Sequence, residues 1–310
     1  MYDPPPQPSC ARAFNATMTI LLTGGTGFLG AAVLEPLAAR DEVVALHRPG
    51  TTPPSVDRVR WVPQDLAGPL VPELPEHVDA VVHLAQSRRY REFPESALDI
   101  FDLNMGAAVR LLDYARRCGA GKFVLASSGA VYSPRSEPLR EEDPLTPGNL
   151  YATCKLAAEH AASHFGDYFD VAILRYFFIY GPGQLDMFVA GIVNRVMNEL
   201  PVSLSSDAGI RVNPVFVDDA AAATLAALEA TGVGAYNVAG RDVVSLREIA
   251  DTIGEIVGKT PKFVLGDAAP DLVADIERMS EALVPPRIGI HDGLRRTVAA
   301  VAERGAAVSA

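Results

Sequence analysis

Tyr151 and Lys155 stand four residues apart in the run Tyr151-Ala152-Thr153-Cys154-Lys155. On a helix that spacing puts both on one face. A phenol ordinarily titrates at about 10. A neighbouring ammonium favours phenolate and lowers that value, so the pair suits giving and taking a proton near neutral pH. The spacing alone is common, and two solvated residues on a helix are the plain alternative. Position argues for chemistry: the helix follows an apolar strand ending Leu125-Ala126-Ser127-Ser128, and Ser128 offers a hydroxyl to a substrate oxygen there.

A second constellation is Thr23-Gly24-Gly25-Thr26-Gly27-Phe28-Leu29-Gly30. Gly25, Gly27 and Gly30 satisfy G-x-G-x-x-G, and Gly24, Gly27 and Gly30 satisfy G-x-x-G-x-x-G. Glycines permit a tight turn, let backbone approach a pyrophosphate and allow a helix to pack closely on a strand. The helix that begins at Phe28 and Leu29 then offers unpaired N–H groups to the phosphates. A glycine motif without context is a flexible turn; here an apolar strand precedes it and a helix follows, as dinucleotide binding requires. A carboxylate about 20 residues on holds the ribose of NAD, whereas an Arg accommodates the 2′-phosphate of NADP. The second strand ends in His47-Arg48 with no carboxylate, which favours NADP over NAD. A solvated loop residue is the plain reading of Arg48.

These groups need a scaffold with one shared edge. Short apolar runs at Thr19–Thr23, Glu42–Leu46, Val59–Val62, Ala80–Leu84, Phe123–Ala126 and Val171–Leu174 alternate with helical spacing at Phe28–Ala39, Ala97–Arg117 and Tyr151–Phe165. Continuous apolar strands suit a parallel sheet covered on both faces. Alternation with helices predicts an α/β, doubly wound parallel sheet of the Rossmann kind, whose ligands bind beyond the carboxyl ends of the strands. The expected organisation is a disordered tail at 1–17, with Met18 as an alternative start, and a dinucleotide-binding domain at 18–181 with a returning segment at 215–240. A smaller substrate lobe follows at 182–214 and 241–310, with sparser strands and shorter helices, expected to close a cleft over the sheet edge. Pro49–Pro54 and Pro134–Gly148 read as loops.

The 310 residues are enough for this, with 49% hydrophobic and 21% charged residues pointing to a packed globular chain. A net charge of −11 argues against nucleic acid as partner. Cys10, Cys118 and Cys154 have no paired spacing, so neither a disulfide framework nor a zinc site is expected, and a reducing cytoplasm is the natural setting. His160, His164 and His291 show no ligand spacing, so no metal is expected. There is no apolar run of membrane-spanning length and no signal-peptide pattern.

Together these segments resemble the extended short-chain dehydrogenase/reductases, in their NAD-dependent epimerase/dehydratase branch. The resemblance rests on Thr23–Gly30, Asp65-Leu66, His83-Leu84-Ala85, Asn104, Ser127 through Tyr132, Tyr151–Lys155, Arg175 through Gly183 and Val215 through Asp219, covering about 18–240 in order. It implies that Tyr151 is the acid/base and that Lys155 holds the nicotinamide ribose and lowers the phenol's pKa. It implies further that Ser128 orients the substrate oxygen, that Asp65 and Leu66 flank the adenine, and that Ala85 and Pro182 border the cofactor. It also implies a homodimer packed through the helices near 97–117 and 151–166.

Departures narrow the reaction. Family members that dehydrate carry an Asp-Glu pair where Gly129 and Ala130 stand here, and related decarboxylases carry a Glu at the place of Ala130. Elimination therefore lacks its acid and base. Phe178 replaces an Asn that contacts nucleotide diphosphate, and Gln86 replaces a small residue; both point to a smaller or less usual substrate. Arg88, Arg89 and Arg91 face the substrate in the resemblance, or form a solvated basic turn balanced by Glu92 and Glu95. Arg211 and Asn213 lie at substrate-contacting places, although Arg211 beside Asp207 or Asp218 has a plain structural reading. Cys154 reads as helix packing. The expectation is hydride transfer at a secondary alcohol or ketone carbon of a sugar-like or natural-product substrate. The alternatives are a nucleotide-sugar epimerase and a non-catalytic dinucleotide sensor.

Overall fold

The structure is a computed structural model that describes residues 17–133, 135–184 and 187–308. The expected tail lies outside the described residues except for Thr17, as does Cys10. The elements of the first part of the chain are β1 (Thr19–Thr23), α1 (Phe28–Arg40), β2 (Glu42–His47), β3 (Val59–Pro63), β4 (Ala80–His83), α2 (Ala97–Phe101), α3 (Ala107–Arg117), β5 (Lys122–Ser128), α4 (Leu150–Ser163) and β6 (Asp170–Tyr176). There follow α5 (Phe188–Met197), β7 (Val202–Leu204), β8 (Arg211–Val212), α6 (Val217–Ala226), β9 (Val233–Val238), β10 (Val244–Ser245), α7 (Leu246–Val257), β11 (Phe263–Leu265), α8 (Glu277–Ala282) and α9 (Ile290–Val308).

Seven strands form one sheet in the order β3-β2-β1-β4-β5-β6-β9. The β1/β2, β1/β4, β2/β3 and β4/β5 pairings are parallel, and the architecture is a Rossmann-like α/β fold. The strand order reverses about β1, so the switch point lies between β1 and β4, where such sheets bind ligands. The register brings Thr23 opposite both Leu46 and His83, and His83 opposite Leu125. The carboxyl ends of β1, β2 and β4 are thereby brought level, and β5 runs on past them to Ser128. Burial of Leu21, Val44, Val81, Leu111, Leu112, Phe123, Leu125 and Ile173 in one apolar cluster holds this frame. Each such side chain contributes roughly 1.5–3 kcal/mol when fully buried.

The chain divides into two compact units. The first comprises Met1–Val131, Leu145–Arg175 and Thr224–Tyr236; the second comprises Tyr132–Pro144, Tyr176–Ala223 and Asn237–Ala310. Within the second, β8 pairs antiparallel with β10 and β7 parallel with β11. A reciprocal cap between Ser245 and Glu248 starts α7, and Gly258 in the left-handed region ends it.

Two local features depart from the helical spacing. The expected helix over 97–117 is present, but residues Asp102–Gly106 between α2 and α3 wind as a π-helix. Such bulges insert an extra residue into a turn and cluster at functional sites; this one contains the buried Asn104. Beyond residue 181 the spacing predicts shorter helices, yet α9 runs 19 residues. Leu294, Thr297 and Val298 are among its buried residues, at helical spacing; a buried threonine blunts the apolar pattern by which such a helix is read. Among the described residues no helix is long and apolar enough to cross a membrane.

Candidate active site

The glycine turn follows β1 and opens α1. Gly24 takes φ +77, and a Cβ there would lie 2.7 Å from the amide nitrogen of Ala85. A Cβ on Gly30 would lie 2.0 Å from the carbonyl oxygen of Gly24. Only hydrogen fits at either place. Gly27 caps α1 without any side-chain hydrogen bond, and the first turn of α1 has no acidic residue. The N–H groups of the first turn, at Phe28, Leu29 and Gly30, form a positive helix end suited to phosphate. This cradle of glycine backbone and bare helix N-terminus fits the pyrophosphate of a dinucleotide.

Thr23 and His83 fasten the turn from beneath. The Thr23 hydroxyl lies 2.7 Å from His83 Nδ1 and accepts the Ala85 N–H at 3.2 Å. Burial, helped by the charge of Lys155, lowers the His83 pKa from 6.5 to about 3. The unfolded chain therefore takes up a proton below pH 6.5 that the folded protein refuses. Stability should fall as pH drops from 6.5 towards about 3. Urea midpoints measured at about pH 7 and about pH 5 should separate in the wild type and close up in His83→Gln; parallel behaviour of the two proteins would exclude His83 as the cause.

At the end of β2, His47 Nδ1 lies 3.2 Å from the Thr51 hydroxyl, and its ring meets the edge of Trp61 at 6.0 Å. Arg48 beside it is exposed. Asp65 is exposed and its carboxylate accepts the Ala67 N–H at 3.0 Å, while the Leu66 carbonyl accepts from Arg110 at 2.6 Å.

Tyr151 and Lys155 occupy the first two turns of α4, which Asn149 caps by accepting the Ala152 N–H at 2.9 Å. Tyr151 is half-buried, and its hydroxyl donates to Gln86 Oε1 at 3.0 Å. Its ring packs on Tyr90 at 4.9 Å. Ser128, at the end of β5, lies beside the phenol, and its hydroxyl accepts the Ala130 N–H at 3.2 Å. Lys155 is buried; its Nζ donates to the Ala126 carbonyl at 2.9 Å and lies 5.9 Å from the centre of the Tyr151 ring.

The electrostatics differ from the expectation that Lys155 lowers the phenol's pKa. Burial pushes Tyr151 up to about 12; the nearby Ser128 hydroxyl opposes this and Tyr90 adds to it. The ammonium is itself disfavoured, for burial lowers Lys155 to about 8 against the opposing charges of Glu159 and Cys154. Its proton donor is turned to a carbonyl rather than to the phenol oxygen, so desolvation wins. Cys154 is buried, as helix packing requires.

The remaining expected residues are placed as follows. Gln86 and Arg88 are exposed on the loop after β4, where Arg89 pairs with Glu92 at 2.7 Å and Arg91 stands over the Tyr90 ring at 5.4 Å. Phe178, Pro182 and Arg211 belong to the second unit. Phe178 takes φ +46, rare for a bulky residue, and packs on Phe188 at 4.5 Å. Pro182 is exposed. Arg211 is tied to Asp271 at 2.8 Å and to the Ser136 carbonyl at 3.1 Å; its acidic partner is neither Asp207 nor Asp218, because the β8 backbone itself also donates to Asp271. His160, His164 and His291 are exposed.

Three features carried no signal in the sequence. Tyr90 is one aromatic in a loop. The Thr23–His83 pair joins two strands 60 residues apart. Beneath Lys155, Glu159 is gripped by the Arg175 guanidinium, with Nη2 at 2.7 Å, and also accepts from the Ser127 hydroxyl.

Residues 20–239 match the family model described as the NAD dependent epimerase/dehydratase family. The chain is 30% identical to a UDP-glucuronate 4-epimerase of Thermodesulfobacterium geofontis, over 71% of this chain and 72% of the relative. It is 32% identical to a GDP-6-deoxy-D-mannose reductase of Pseudomonas aeruginosa, over 77% and 80%. Among solved structures, a UDP-glucose 4-epimerase of Thermus thermophilus in complex with NAD superposes with a TM-score of 0.78 at 29% identity, covering 93% of this chain and 100% of that one.

Proposed function

Because the chain belongs to the NAD dependent epimerase/dehydratase family, we propose that it transfers a hydride at one secondary alcohol or ketone carbon of a nucleotide sugar or a related sugar-like substrate, with Tyr151, Ser128 and Lys155 as its working residues. The observation that carries this reading is the convergence of the Tyr151 hydroxyl, Ser128 and the Lys155 ammonium beside the glycine cradle at the carboxyl ends of β1, β4 and β5. Gly24, Gly27, Phe28, Leu29 and Gly30 would hold the pyrophosphate of a nicotinamide dinucleotide, which when bound would supply or accept the hydride. Ser128 orients the substrate oxygen, Tyr151 gives that oxygen a proton in reduction and removes it in oxidation, and Lys155 holds the ribose. Gly129 and Ala130 provide no acid or base for elimination.

Two outcomes share this machinery. A reductase converts its ketone once and leaves the cofactor oxidised. An epimerase returns the hydride to the other face, with no net change in the cofactor. The relatives include both kinds. Incubation with UDP-glucose or UDP-glucuronate, read by product analysis and by nicotinamide absorbance, separates them; a chain that binds a dinucleotide yet turns over neither an alcohol nor a ketone would overturn the proposal in favour of a sensor.

We place the selectivity for NADP over NAD on Arg48 and His47, since the end of β2 has no carboxylate to repel a 2′-phosphate. Arg48→Ala should then weaken NADP by roughly tenfold or more, the scale of one charge-assisted hydrogen bond, and barely change NAD. Titration of both cofactors by fluorescence checks this, and equal losses would remove Arg48 from the reading. The Thermus thermophilus relative was solved with NAD, so identification of the co-purifying dinucleotide is the direct arbiter.

A further inference from the structure

Gln86 and Tyr151 come from different elements, the loop after β4 and the first turn of α4, yet the phenol donates to the carboxamide Oε1 at 3.0 Å. A neutral phenol has one proton to donate, so its partner must present an acceptor; a carboxamide can do so through its oxygen. Gln86 is exposed, but the loop that carries it is fastened. The next residue, Ser87, donates its N–H to Asn104 Oδ1 at 3.2 Å and its hydroxyl to Asp99. The Ser87 hydroxyl also accepts the Arg89 N–H at 3.1 Å. Glu92 then binds Arg89 at 2.7 Å and Ser96 at 3.2 Å. Asn104 sits in the π-wound segment, and both it and Ser87 are 2% exposed or less. The bulge between α2 and α3 thus anchors the backbone from which Gln86 reaches the phenol.

We propose that Gln86 is the positioning residue of Tyr151: its carboxamide oxygen holds the phenol proton in place until a substrate oxygen replaces it as the acceptor. No covalent bond changes in that exchange; one O–H···O bond is traded for another, and the proton stays on Tyr151 until the substrate is seated. A bond accepted from the neutral phenol favours that form over phenolate. The resting enzyme therefore keeps Tyr151 as an acid, and substrates are selected by whether their oxygen can displace Gln86. The other groups facing the phenol are Tyr90 from the same loop, Ser128 from β5 and Lys155 from the next turn of α4.

The functional meaning rests on Tyr151 being the acid/base residue, but the hold itself is measurable without substrate. Difluorotyrosine, more acidic than tyrosine, is placed at position 151 of the full-length chain and titrated by fluorine NMR. Gln86→Ala and Gln86→Met should both lower the midpoint by roughly half to one pH unit, the worth of one net hydrogen bond. Gln86→Glu should raise it. Gln86→Met keeps the length of the side chain and lacks the acceptor, so a midpoint like the wild type's in that variant, or an unmoved or raised one in Gln86→Ala, overturns the proposal. An active Tyr151→Phe enzyme would instead remove the acid/base reading and leave this titration to judge Gln86 alone.

Discussion

Tyr151→Phe should lower turnover by roughly 10²–10⁴-fold, the usual contribution of a positioned general acid, while the dinucleotide binds with unchanged affinity. The reason is local. Phenylalanine keeps the ring and its packing on Tyr90, and loses only the hydroxyl that donates to Gln86. The cofactor cradle is built from the glycine backbone and the N-terminus of α1, which the substitution leaves alone. Steady-state kinetics and a cofactor titration on the same preparation test both halves. Turnover near the wild-type rate would mean that another group moves the proton, and the mechanism offered for Tyr151 would fall.

The second large effect concerns the buried pair beneath the site. Glu159 and Arg175 have side chains 3% and 5% exposed and meet at 2.7 Å. The guanidinium Nε adds contacts of 3.2 and 3.1 Å to the two carboxylate oxygens, and Ser127 donates to the same carboxylate. This knot ties α4 to β5 and β6, one helical turn after Lys155. Glu159→Gln preserves the shape and removes the charge, leaving a buried guanidinium without its carboxylate. Breaking such a pair costs about 3–5 kcal/mol, read as a drop in the urea midpoint at constant slope. Exchanging both residues, as Glu159→Leu with Arg175→Met, should recover much of that loss, because a packed apolar pair needs no desolvation of charge. A single variant with an unchanged midpoint would show that the pair contributes little to holding α4.

Several particular elements were legible in the sequence. The apolar runs of β1 to β6 place the strands within a few residues, since continuous Val, Leu and Ile runs are what a sheet buried on both faces demands. The glycines of Thr23–Gly30 are legible because the turn tolerates only hydrogen, as the distances at Gly24 and Gly30 bear out. The π-winding at Asp102–Gly106 was not legible, because one extra residue in a turn leaves the apolar spacing of 97–117 almost intact. Nor was the 19-residue length of α9, whose buried face includes a threonine.

By itself the sequence determined the Rossmann alternation, the glycine turn and the residue types of the Tyr151–Lys155 pair, all of which are written in spacing over a few residues. The tertiary structure alone decided what those residues meet: Gln86 and Tyr90 on the phenol, His83 under the glycine turn, Arg175 on Glu159, Asp271 on Arg211. It also set the electrostatics by burial, pushing the phenol up to about 12 and the ammonium down to about 8. The physical reason is that periodicity and turn chemistry act along the chain, whereas desolvation and hydrogen-bond partnership depend on groups brought together across the sheet from tens of residues away.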